Sequence, residues 1–300
     1  MISVTALQKN FDNFRALDGL SVNVRQGSIY GLIGINGSGK TTALKIITGI
    51  IKPDGGSATM GGEPVFDNLN VKRRMGFIPD ELWFFGGYNL KECSRFYRKL
   101  YPNWSAERYA DMLEKFALPE NRKISRFSKG MQKQAAFILT MSANPDFLVL
   151  DEPIDGLDPL IRKLVWKYIV DDVASRQMTV LISSHNLREM EGICDSIGIL
   201  DKGKMLIERD LDELKSDIHK IQVAYPDSVS REGLYEGLNV LHLESKGSID
   251  LVIVRNPREL VDSVIYKNSP LLFDVLPLTL EEIFIYELGG GLSERMQILF

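Results

Sequence analysis

Residues 34–42 read Gly-Ile-Asn-Gly-Ser-Gly-Lys-Thr-Thr and meet the pattern G-x-x-x-x-G-K-[ST] at every fixed position. Ahead of them, Ser28–Ile33 reads as a short buried strand. Behind them, Ala43–Ile47 opens a helix, with Gly49 as its stop. Strand, glycine-rich turn and helix together make a phosphate-binding loop. Gly34, Gly37 and Gly39 let backbone N–H groups turn inward without Cβ clashes, and Asn36, Ser38 and Thr42 complete the cradle. The helix N-terminus adds partial positive charge. Lys40 can reach the β- and γ-phosphates, and the Thr41 hydroxyl can ligate Mg²⁺. A turn that bound nothing would have no use for Lys-Thr at its helix start.

A chain of 300 residues is long enough for about two domains and a core that needs no covalent staples. Its net charge of −4 offers no electrostatic case for a nucleic-acid partner. Cys93 and Cys194 are far apart and lack metal-ligand spacing, which reads as free thiols in a reducing compartment. The first residues form a strand pattern rather than a signal peptide, and no apolar run approaches the roughly 20 residues that span a bilayer. A cytoplasmic chain is expected, with any membrane role requiring a partner.

Residues 2–33 alternate as β-structure, with Phe11 in the turn region after the first strand and Phe14 three residues on. Either ring could stack on a flat base or serve as ordinary core. Met75–Pro79 is a further strand. Ten aromatics then fall between Trp83 and Phe116, in a helical insertion over about 83–127 with N-caps at Asn89 and Ser105. Those rings can form the insertion's own core or line a groove for another protein. Ser128 caps the next helix, with Gly130 exposing N–H groups beside it, a second helix start able to hold an anion.

Phe147–Asp151 is an apolar strand ending in Asp151 and Glu152. Acids at the carboxyl edge of a buried parallel strand sit where open α/β sheets bind ligands; one can hold Mg²⁺ and the other can take a proton from water. Asp155–Pro159 turns into an amphipathic helix. Thr179–Ser184 is another buried strand, ending at His185, a candidate γ-phosphate contact. Asp201-Lys202-Gly203 signals a hairpin. Strands are expected over 218–225, 240–244, 249–254 and 271–276, with helices over 257–266 and after Thr279, the last ended by Gly289–Gly291. This C-terminal part reads as a small α+β domain without a catalytic constellation.

In their order and spacing these pieces resemble the nucleotide-binding subunit of an ABC transporter, over residues 1 to about 215. Gly34–Thr42 matches Walker A, and Phe147–Asp151 with Glu152 matches Walker B and its catalytic acid. Phe127–Met131 is similar to the degenerate signature of bacterial exporter ATPases, Gly156-Leu157-Asp158 to the D-loop, and His185 to the switch histidine. Pro277–Leu288 resembles the C-terminal end common in exporter-type ATPases. The resemblance implies an α/β P-loop ATPase core with an antiparallel β subdomain and a helical insertion (1–215), followed by an accessory α+β domain (216–300).

It also implies roles. Phe11 would stack on adenine. Lys40, Glu152 and His185 would be catalytic, Thr41 and Asp151 would hold Mg²⁺, and Ser128, Gly130 and Asp158 would contact ATP across a pair of ATPase domains. That pair would be a homodimer or heterodimer, carried on the inner face of the cell membrane by a separate transmembrane permease. Asp80 stands where the family places its Q-loop glutamine. A carboxylate there can ligate Mg²⁺ but cannot donate to water as an amide can. The alternative is an ABC-type ATPase working on DNA or the ribosome. Against it, the stretch between Thr42 and Phe147 shows no long coiled coil or zinc-binding cysteines, and the chain carries a single P-loop.

Overall fold

The computed structural model describes residues 1–288 except 212, 215–217, 227, 231 and 232. The chain divides into two compact units: Met1–His185 with Ile193–Glu208, and Asn186–Gly192 with the residues from Arg209 onward.

The first unit opens on an antiparallel sheet. Strands β1 (Ile2–Phe11), β2 (Phe14–Val24), β4 (Gly55–Met60) and β5 (Glu63–Pro64) lie in the order β2-β1-β4-β5. β1 and β2 run further than the clearest apolar alternation indicates. They close at Phe11 opposite Phe14 around Asp12, whose φ of +48° suits Asp at a tight turn.

The second sheet runs β10-β9-β3-β8-β7-β6, formed by β3 (Ile29–Ile33), β6 (Met75–Ile78), β7 (Phe147–Asp151), β8 (Thr179–Ser184), β9 (Ser196–Asp201) and β10 (Lys204–Asp210). Pairing from β6 through β7, β8 and β3 to β9 is parallel. β3, β7 and β8 are buried at every position, as strands covered on both faces must be. Helix α1 (Lys40–Ile47) puts Leu44, Ile46 and Ile47 into one core with Leu7, Leu20 and Met60 of the antiparallel sheet. Gly49, with φ +67°, follows that helix where the stop was read. A short helix α2 (Leu69–Arg74), capped by Asn68, precedes β6; six residues are too few to carry a readable periodicity.

The insertion holds α3 (Leu90–Leu100) and α4 (Ala106–Lys115). Asn89 and Glu92 form a reciprocal capping box on α3, and Ser105 caps α4. Tyr109 and Phe116 are buried, whereas Trp83, Phe85, Tyr88 and Phe96 are exposed, and Phe85 meets each of the other three edge to face or tilted. A hollow of about 190 Å³ lies among Trp83, Phe85, Cys93, Phe96 and Tyr97. Burial, with Glu92 adding to it, pushes the Cys93 thiol up to about 11. The insertion is anchored through Arg108, whose guanidinium meets both oxygens of the buried Asp172 (2.8 and 2.6 Å) on α6 (Pro159–Arg176).

In the second unit, β11 (Ile218–Ala224), β12 (Val240–Lys246), β13 (Ile249–Arg255) and β14 (Leu272–Leu276) form an antiparallel sheet in the order β12-β13-β11-β14. α8 (Arg258–Tyr266) packs Val261 and Ile265 against Val223 and Val252. The expected capping box before α9 (Leu280–Leu288) forms, with Thr279 and Glu282 exchanging backbone-to-side-chain hydrogen bonds. Arg188, on the short helix α7 (Leu187–Met190), pairs with Glu281 at 2.8 Å. The expected stop at Gly289–Gly291 lies outside the described residues.

Candidate nucleotide site at the strand ends

Parallel pairing brings distant parts of the chain to one sheet edge. Ile33 pairs with Ser184 and Asp151 with Ser183. The loop after β3, the acids ending β7 and His185 after β8 therefore emerge as neighbours, at the carboxyl end where such sheets bind ligands.

The loop needs glycine for space as well as conformation. A Cβ on Gly34 would lie 2.5 Å from the Leu200 carbonyl oxygen. One on Gly39, which precedes α1 at φ +109°, would lie 2.7 Å from that of Ala16. Ser38 is buried, and its hydroxyl has no hydrogen-bond partner among the described residues. Such an orphan is costly in a loop with no acceptor to offer it. Lys40 is 6% exposed; its ammonium donates to the carbonyls of Gly34 (2.6 Å) and Ile35 (3.3 Å) and lies 3.5 Å from Glu152 Oε1.

Thr41 Oγ1 donates to Asp151 Oδ2 at 2.8 Å, and Ser183 Oγ donates to Asp151 Oδ1. Two hydroxyls thus satisfy the buried carboxylate. A hydroxyl and a carboxylate side by side are the hard oxygen donors that Mg²⁺ prefers, so this pair fits that ion. Glu152 occupies a left-handed conformation (φ +47°). Its N–H reaches the carbonyl and hydroxyl of Ser183, both at 3.2 Å. Its Oε2 accepts from the His185 N–H (3.3 Å) and lies 2.9 Å from His185 Nδ1.

A cleft of about 230 Å³ opens over the loop, and both Asp80 and Glu152 line it. Phe14, which is 62% exposed, forms part of its wall. Phe11 stands opposite Phe14 across the hairpin, with the Lys9 ammonium 5.5 Å from its ring centroid. Asp80 Oδ1 receives a hydrogen bond from Lys133 Nζ at 3.1 Å. The same ammonium donates to the Glu152 carbonyl at 2.8 Å. Neither Lys133 nor Ser183 stands out in the sequence, because a lysine on a helix and a serine in a buried strand carry no local signal.

Ser128 and Gly130 are not among the residues lining that cleft. Ser128 caps α5 (Lys129–Ser142) by accepting from the Met131 N–H at 3.2 Å. A Cβ on Gly130 would lie 2.9 Å from the Gly156 carbonyl oxygen, so the start of α5 packs directly on the turn after β7. The Asp158 carboxylate accepts from the N–H groups of Leu160 and Ile161 (3.1 Å each), capping α6.

The family model described as "ABC transporter" matches residues 17–155. The ABC transporter ATP-binding protein YtrB of Bacillus subtilis (strain 168) is 33% identical over 290 residues, covering 97% of this chain and 99% of that protein. The bacitracin transport ATP-binding protein BcrA of Bacillus licheniformis is 30% identical over 312 residues, with 97% and 98% covered. The Nod factor export ATP-binding protein I of Burkholderia thailandensis is 31% identical over 303 residues, with 98% of each covered. A solved ATP-binding subunit of an ABC transporter superposes with a TM-score of 0.67 at 27% identity, over 72% of this chain and 92% of that one. The dimeric cassette MJ0796 shares the fold (TM-score 0.64, 22% identity, 70% and 99% covered). With full-length relatives at this identity and the Walker residues assembled at one edge, the chain belongs to the ABC transporter family as one of its ATP-binding, ATP-hydrolysing proteins.

Proposed function

We propose that this chain drives a membrane exporter, working as a head-to-tail pair of ATPase domains that close over two ATP molecules. The observation that carries the chemistry is the meeting of Lys40, Thr41 with Asp151, and Glu152 with His185 at one sheet edge. Phosphate entering the loop draws the Lys40 ammonium from the Gly34 and Ile35 carbonyls and gives the Ser38 hydroxyl an acceptor. Thr41 and Asp151 are the residues that would hold Mg²⁺, which when bound neutralises phosphate charge. Glu152 is then relieved of Lys40 and takes the proton from the attacking water. His185, held by the Glu152 carboxylate, is placed to contact the γ-phosphate.

The pair is proposed because Ser128 and Gly130 form a helix start suited to phosphate yet lie off the cleft of their own loop. They are better explained as covering ATP held by a second copy or a related subunit, reciprocally across a two-fold axis, with Asp158 at the same junction. The exporter reading is supported by the names of BcrA and the Nod factor export protein. No described helix is long and apolar enough to cross a membrane, so a separate permease would supply the path and hold this chain at the inner membrane face. The exposed rings around Phe85 and Phe96 are the surface offered to that permease. No nucleic-acid partner is needed. The test is Glu152→Gln, which keeps size and hydrogen bonding but removes the base. Turnover should fall by roughly 10² or more with Mg-ATP binding retained. Undiminished turnover would remove Glu152 from the role.

A further inference from the structure

Lys133, like Lys40, is a cation bonded to a residue at the reacting edge. Its side chain is 11% exposed and makes two contacts, to Asp80 Oδ1 and to the Glu152 carbonyl oxygen. The second falls on a residue held in a conformation that side chains disfavour, because Glu152 is not glycine and sits at φ +47°. A carbonyl turned that way is lost to the strand ladder, and the ammonium gives it a charged donor. The N–H of the same residue is fixed by Ser183, so the backbone is gripped from both sides and its side chain leaves in one direction, toward His185. Asp80 in turn holds Lys133 in place. It also puts a carboxylate where an amide was expected without adding uncompensated negative charge beside the cleft.

We propose that Lys133 is a positioning residue for hydrolysis: it sets the direction of the Glu152 carboxylate through the Glu152 carbonyl, and Asp80 acts through Lys133 rather than as an independent ligand of Mg²⁺. The proposal rests on the reading of Glu152 as the base. Lys133 lies on α5, five residues beyond Ser128, so the helix that would cover one ATP also shapes the base that attacks the other. One rigid element thereby serves both sites.

Steady-state Mg-ATPase kinetics on the full chain, alone and with its permease, test this in Lys133→Met, Lys133→Arg, Asp80→Ala and the double variant Asp80→Ala/Lys133→Met. Lys133→Met should lower kcat roughly tenfold or more while the KM for ATP moves less than about twofold, since alignment rather than binding is lost. Lys133→Arg should recover most of the rate. Asp80→Ala should lower kcat less than Lys133→Met, without moving the Mg²⁺ concentration for half-maximal rate. The double variant should be no slower than Lys133→Met alone, because Asp80 has nothing to act through once the ammonium is gone. Should Lys133→Met fail to fold, judged by melting and by binding of a fluorescent ATP analogue, Lys133→Gln replaces it: it keeps a donor but not the charge. A folded Lys133→Met with wild-type kcat overturns the inference. So does a double variant whose loss is the product of the two single losses, or a shifted Mg²⁺ requirement in Asp80→Ala. An active wild type with those outcomes leaves the ATPase reading standing, whereas a wild type that binds but never turns over Mg-ATP overturns both.

Discussion

The Lys40 ammonium is shared between loop carbonyls and Glu152, and the Asp151 carboxylate between Thr41 and Ser183. Lys40 and Asp151 therefore each have protein partners that phosphate and Mg²⁺ compete with, so binding at these two groups is an exchange of partners. At the hairpin, Phe14 lines the cleft and Phe11 stands across from it. If adenine stacks here, removing the ring that meets it costs about 1 kcal/mol, or roughly fivefold in KM for ATP. Phe11→Ala and Phe14→Ala, compared in steady-state kinetics, show which ring that is; a KM unchanged in both would take the base off the hairpin. Cys93 offers a separate check. With its thiol pushed up to about 11, roughly one molecule in a thousand is ionised at pH 8, and that fraction rises tenfold per pH unit. Iodoacetamide should label it slowly in the folded chain and rapidly in urea; equal rates would mean the hollow around it is open. Lys40, Thr41, Asp151, Glu152 and His185 were legible because each ends or begins an element with a distinct local pattern. Lys133 and Ser183 were not, because their partners lie 53 and 32 residues away and only the folded sheet brings them together.

Among the elements, those with capping signatures were readable in advance. Asn89 with Glu92, Ser105, Ser128 and Thr279 with Glu282 all cap as their types suggest. The strand order was not readable, since buried parallel strands are uniform apolar runs without a code for their neighbours. Nor was the tie between insertion and core. Asp172 serves Arg108 on one side and Arg176 on the other, and the Arg108 guanidinium also lies over the Tyr168 ring. Asp172→Ala would strand two guanidiniums in a partly buried setting and should cost about 3 kcal/mol in urea unfolding. A loss below about 1 kcal/mol would mean the cluster behaves as a surface pair. The aromatic hollow makes a different prediction. Trp83→Ala with Phe96→Ala, both exposed, should leave basal ATPase intact and abolish its stimulation by the permease, provided the hollow is the docking surface. Normal stimulation would place docking elsewhere.

For the molecule as a whole, the proposed pairing predicts that Glu152→Gln forms a dimer in sedimentation with Mg-ATP and not without it. Adding Ser128→Arg should return it to monomer with ATP affinity nearly unchanged. A monomer under both conditions, with and without the permease, would sink the shared-site reading. Ending the chain after Glu208 should spare nucleotide binding, because the loop, the acids and His185 all belong to the first unit. The same cut leaves Asn186–Gly192 without Glu281, the partner of Arg188, and should lower the melting temperature.

The pairing of Ile33 with Ser184 carries one more consequence, for the order of events during synthesis. The loop is complete once residue 42 has been made, but its neighbouring strand ends at Ser184 and is made far later. Contacts so distant along the chain form late in folding, after the local helices and the β1–β2 hairpin. A ribosome-bound fragment ending before β8 should therefore ignore Mg-ATP, although its phosphate loop is already spelled out. The nucleotide becomes a witness to finished folding, and a half-made chain has no means of spending it.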